Sequence, residues 1–110
     1  MSTEQLAKTE WRPYFDRLSK ALTAKQAEIE VSSLMLGNQI EAGWIPLLGI
    51  TYDSADDVLE VFLEGLDHRI QHPQTVFVEQ VGVELKSLEV IDDEDTRQII
   101  RLRDSVLLPH

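Results

Sequence analysis

Apolar positions recur along this chain with two periods. Trp11, Phe15, Leu18 and Leu22 fall at i, i+4, i+7 and i+11, one stripe of an amphipathic helix. Such a stripe cannot be hidden by the helix itself, so it requires an apolar surface to lie on. Thr9 is a candidate N-cap, whereas Pro13, best placed in a first turn, moves the cap to Arg12. Both starts stay open. Lys20 and Lys25 near the far end suit the helix dipole.

From Lys25 onward the period is two. Ala27, Ile29 and Val31 alternate with Gln26, Glu28, Glu30 and Ser32, which predicts a half-buried strand over 25–33. Gly37-Asn38 signals a turn, and 39–42 a short strand. The densest apolar run, Trp44 to Ile50, leads into a strand over 47–52, with Pro46 at its start or on an edge because it lacks a ladder donor. Asp53-Ser54-Ala55-Asp56-Asp57 is turn chemistry, and Leu59, Val61 and Leu63 then mark a returning strand over 57–64. Val58 and Phe62 on its other face imply partial cover there too. Residues 65–73 lack alternation. They read as one short helical turn capped by Asp67 and ended by Pro73, which restricts His72. Strands follow over 75–80 and 85–92, then an acidic turn from Asp92 to Asp95 and a last strand over 96–103. On that last strand Ile100 and Leu102 oppose Arg97, Ile99, Arg101 and Arg103.

These elements predict an α+β fold. An N-terminal helix packs on a five- to six-stranded, mostly antiparallel sheet built from hairpins. The alternative is a small SH3-like or Sm-like barrel with the same helix, since closure depends on strand bending that sequence does not show. At 110 residues the chain is a single domain over 1–110, with 1–8 and 105–110 as flexible ends.

Charge narrows the partners. A net charge of −10 argues against nucleic acid or an anionic membrane, whose binding depends on Lys and Arg. The bases collect toward the two ends, while 26–96 holds sixteen acids against Arg69 and Lys86. The absence of cysteine excludes disulfides, thiolate metal sites and cysteine nucleophiles, and fits a reducing cytoplasm. The first residues lack the basic and apolar regions of a signal peptide, and no apolar run reaches membrane-spanning length.

Candidate chemistry is sparse. His68 and His72 stand four apart, the spacing that brings two imidazoles to one helix face for a metal, with Glu64 and Asp67 as nearby oxygens. Arg69 and Pro73 oppose that reading, and the bland one is that both rings pack a connection. The acidic turns lack the ligand pattern of an EF-hand and read as solvated hairpin ends. No nucleophile elbow or phosphate-binding glycine loop occurs. Arg97, Arg101 and Arg103 offer a face for an acidic partner, extended by Arg12, Arg17 and Lys20 if the helix shares it. The alternative is that neighbouring acids neutralise them. Trp11 and Trp44 are either interface anchors or core.

Glu10-Trp11 with Phe15-Asp16-Arg17-Leu18-Ser19, Leu48-Gly49-Ile50 with Tyr52-Asp53, Asp57-Val58-Leu59-Glu60, His68 and His72-Pro73, and the stretch from Thr96 to Arg103 together resemble a family of small bacterial proteins catalogued as a domain of unknown function. The likeness spans most of 9–103. It implies a bacterial, cytoplasmic, single-domain protein and carries over no catalytic residue or cofactor. The expected function is a non-enzymatic protein-interaction or assembly module, with self-association as one form. The rival is a small-molecule or metal-binding protein using His68 and His72.

Overall fold

The computed structural model describes residues 2–21, 25–35, 37–82 and 84–104. Leu22 of the apolar stripe and the 105–110 tail lie outside these residues. The elements run β1 (Ser2–Leu6), α1 (Lys8–Ala21), β2 (Lys25–Ser33), β3 (Gly37–Asp53), β4 (Val58–Leu63), β5 (Leu66–Gln71), β6 (Pro73–Val81), β7 (Glu84–Asp92) and β8 (Arg97–Asp104). All strands join one antiparallel sheet in the order β1-β6-β7-β8-β2-β3-β4-β5. The α+β architecture is as the hydrophobic pattern implies, with eight strands instead of five or six. The sheet ends in two edge strands, β1 and β5, and so does not close into a barrel among the described residues.

Two strands arise where none was expected. The polar stretch Ser2–Leu6 pairs with β6, setting Leu6 opposite Val76, where both are buried. Residues 66–71 form β5 instead of a helical turn. Gly65, at φ 80°, makes the tight reversal from β4, and Leu63 then faces Leu66. A side chain at that φ would be strained, which is why glycine stands there.

β3 joins two halves of the sheet. Its first part, up to Pro46, pairs with β2, and its last part, from Leu47, pairs with β4. The two short strands expected here are therefore one element of 17 residues. Pro46 sits at the hand-over, where its missing N–H costs no bond and its carbonyl accepts from the Glu64 N–H at 3.0 Å. Among the described residues no strand pairs with the β2 side of β3 beyond Pro46, and α1 takes that place. The Ser19 hydroxyl accepts from the Ile50 N–H at 3.2 Å and donates to the Ile50 carbonyl at 2.8 Å. One side chain thus satisfies both backbone groups of an edge residue.

The helix begins at Lys8, earlier than either expected cap, and carries Pro13 inside it. Tertiary contacts hold this start. Trp11 is 1% exposed, donates its Nε1–H to the Leu6 carbonyl at 3.1 Å and meets the Tyr52 ring edge-on at 5.1 Å. Phe15 is fully buried and Leu18 half-buried, so the stripe docks as its spacing predicts. The core is continuous from these rings through Ile50, Leu59, Val61 and Ile70 to Leu88, Ile100 and Ile29.

Candidate functional site

Titratable side chains converge where the helix start, the β3–β4 turn and the β5–β6 corner meet. Asp53 Oδ1 accepts from the Ala55 and Asp56 N–H groups, closing the acidic turn on itself. The chain then passes through Asp57 at φ 53°, a left-handed conformation that Asp adopts more readily than most residues. The Tyr52 hydroxyl donates to Asp57 Oδ1 at 2.6 Å, His72 Nδ1 lies 3.4 Å from Oδ2, and Lys8 Nζ lies 3.6 Å from Oδ1. The Asp57 carbonyl also accepts from the His72 N–H at 2.9 Å. His72 is itself left-handed at φ 55°. An open cleft of about 330 Å³ adjoins this cluster, lined by Arg12, Asp16 and residues 51–55.

Electrostatics make this cluster a clamp. The Tyr52 hydroxyl holds the Asp57 carboxyl below its usual range, against the opposing effect of burial, with His72 and Lys8 assisting. Burial first, then the bond to Asp57, pushes the Tyr52 phenol up to about 12. The pair therefore stays carboxylate and phenol throughout the neutral range, a poor arrangement for proton transfer. The other depressed carboxylates are structural too. Lys25 bonds Asp104 at 2.5 Å and Glu84 at 2.8 Å, tying together the ends of β2, β7 and β8, and lowers both acids.

These shifts predict an acid limb of unfolding. A carboxylate whose folded pKa is depressed contributes stability above its unfolded value, near 3.9 for Asp, and loses it as pH falls through the folded value. We expect the melting temperature to drop below about pH 4, with a shallower drop in Asp57→Asn. An equally steep acid limb in that variant would show that Asp57 does not contribute. Tyr52 acts at the other end. Its raised pKa contributes stability that is lost as pH rises from about 10 toward 12.

The two histidines diverge. His68 is on β5 and His72 at the corner just after it, so they share no helix face, because four residues of extended chain span about 13 Å. His68 faces inward, and its Nε2 contacts Gln98 Oε1 on β8, so the β5 half of the sheet folds over β8. Gln98, at 8% exposed, is the buried polar partner that the ring requires. His72 instead turns outward to Asp57. Among the described residues no group of three His, Asp or Glu side chains is placed to hold a metal ion.

The arginines do share the outer face of β8, opposite Ile100 and Leu102, but each has an internal partner. Arg101 bridges Glu28 at 3.0 Å and Glu30 at 2.9 Å across β2. Arg97 lies 3.6 Å from Glu89, and Arg103 donates to Gln26 at 3.1 Å. The Arg103 guanidinium also stacks 4.0 Å from the centroid of Trp44, which is half-buried on that face. The helix docks on the core side, so Arg12 and Arg17 do not extend this patch.

The least satisfied surface is one that sequence reading passed over. The β2–β3 hairpin ends in Leu34 at 100% exposed and Met35 at 94%, with Ile40 at 57% on the returning strand. A cleft of about 490 Å³ opens between Ser33, Leu34 and Met35 and the β7–β8 turn residues Glu94 and Thr96. One signal was available: from Val31 to Tyr52 the only charged residue is Glu41, in a chain that is 27% charged.

The "Family of unknown function (DUF5335)" matches residues 2–110. An "Uncharacterized protein" of Aquifex aeolicus (strain VF5) is 42% identical over 110 residues, covering 99% of each chain. No solved structure matches.

Proposed function

The chain belongs to this family of unknown function, and on that footing we propose that it is a non-enzymatic interaction module that engages another polypeptide through the β2–β3 arm. The observation that carries this reading is the apolar tip, where Leu34 and Met35 stand almost wholly in water at the end of a paired hairpin. Scattered apolar side chains on a surface mean little, but adjacent ones on a projecting turn favour burial against a partner. The titratable clusters support the same reading, since their charges are spent within the fold. The absence of any signature nucleophile loop in the sequence agrees with it.

The test compares the protein with a Leu34→Ser/Met35→Ser variant, by sedimentation of each alone and after incubation in lysate of the cell that makes it. Surface positions of this kind change stability by no more than about 0.5 kcal/mol, so the variant keeps its melting temperature. The expected result is a stoichiometric complex, with itself or another polypeptide, that the variant fails to form. A protein that remains alone under every condition would defeat the proposal.

A further inference from the structure

We infer that the occupant of this arm is a second copy of the same chain, joined edge to edge along residues 37–43 of β3 by a two-fold axis through Ile40. The inference rests on the interaction reading above and specifies its partner. Residues 37–40 and Ala42 pair with β2 on one side, with a bulge at Glu41, and β4 begins pairing only at Leu47, so the other side of this stretch meets no strand among the described residues. All of 37–43 except Ala42 is exposed. An open strand edge is a template for another strand, and folded proteins block such edges with Lys, Pro or other charges. The β5 edge is guarded in this way by Asp67 and Arg69, and the β1 edge by a single acid, Glu4. The 37–43 edge likewise holds one acid, Glu41, and no Lys, Arg or Pro, but unlike β1 it exposes a large apolar side chain, Ile40.

The segment is complementary to itself. Antiparallel pairing about Ile40 sets Ile40 against Ile40, Gln39 against Glu41, Asn38 against Ala42 and Gly37 against Gly43. The central pair is apolar, and each Glu41 carboxylate faces an amide that can donate to it. Moving the axis by one residue loses this match. Centred on Glu41, two like charges oppose each other, and centred on Gln39, Ile40 faces Asn38. The antiparallel arrangement also carries the Leu34–Met35 tip of each copy toward the Trp44 end of the other strand, beside Leu48, which is 66% exposed.

Charge favours the same occupant. Each copy bears −10, so two copies repel nearly everywhere, but residues 31–52 contribute one charge only. A second copy therefore approaches where repulsion is least. A basic partner would instead be drawn to the acids of the other strands, and an acidic one would find no cation on this edge. The isologous geometry is the ordinary one for homodimers.

The chain has no cysteine, so a single introduced thiol reports register without interference. Sedimentation of the purified protein should show a dimer, and Ile40→Lys should weaken it by about tenfold or more while keeping the melting temperature. On mild oxidation Ile40→Cys should form a covalent dimer. Gln39→Cys and Glu41→Cys should each stay single and cross-link to one another when mixed. A monomer at all concentrations, or cross-linking of Ile40→Cys no faster than that of the exposed-turn control Ser54→Cys, overturns the inference. If the protein is monomeric but still captures a different polypeptide through Leu34 and Met35, the inference falls and the interaction reading stands. If it does neither, both fall.

Discussion

Replacing Phe15 by Ala should lower the free energy of unfolding by about 3–5 kcal/mol, the range for deleting a buried ring. The side chain is fully buried, and with Trp11 it forms the part of the helix that enters the common core. Tyr14 meets the ring edge-on at 5.5 Å but is only half-buried, so it cannot fill the space left behind. A domain of this kind is stable by about 5–15 kcal/mol, so the loss is a large share of the whole. The helix also covers the unpaired side of β3 through Ser19, so loosening it exposes the Ile50 backbone. Leu18→Ala should cost less, because Leu18 is half-buried. Urea unfolding followed by tryptophan fluorescence measures both, with Trp11 as the buried reporter. A Phe15→Ala loss below about 0.5 kcal/mol, the scale of an ordinary surface change, would show that the helix is not part of the core.

Ile100→Ala should cost about 2–5 kcal/mol, for a different reason. Ile100 lies at the centre of a row that crosses five strands: Val78, Leu88, Ile100, Ile29 and Ala42 are successive cross-strand partners, each no more than 3% exposed. Its backbone is held by β7 on one side and β2 on the other, so the strands cannot close over a cavity. The two variants should therefore fail differently. Hydrogen exchange in Phe15→Ala should speed up first in the helix, as one locally unfolding unit. In Ile100→Ala it should speed up together across β2, β7 and β8. Uniform acceleration in both variants would mean that helix and sheet unfold as one unit, and the distinction drawn here would be wrong.

The acidic turns show why local chemistry was legible. Asp53 and Asp92 each accept from backbone N–H groups two to four residues on, and each hairpin ends on a left-handed Asp, Asp57 and Asp95. These bonds need only neighbours in the chain, so the residue types alone announce them. The same holds for the inward and outward positions of β8. Ile100 and Leu102 face the core and the arginines face out because the strand period is a property of the local backbone.

Pairing between distant segments was not legible. β1 is polar and bonds through its backbone, which every sequence supplies equally. β5 buries only Ile70 deeply, so its alternation is too faint to distinguish it from a turn. β3 changes partners at Pro46, and the break that its sequence shows is a change of neighbour, not an end of strand. The separation of His68 from His72 follows from β5 being extended, and the internal pairing of Arg97, Arg101 and Arg103 from the strands that flank β8. The amino-acid sequence by itself thus determined the helix stripe, most of the strands and their buried faces, through periodicities a few residues long. The tertiary structure alone decided which strand edges were paired, which were covered by Ser19 and the helix, and which edge beside Ile40 was left open. Edge pairing depends on what the rest of the chain brings alongside, and no local pattern encodes that.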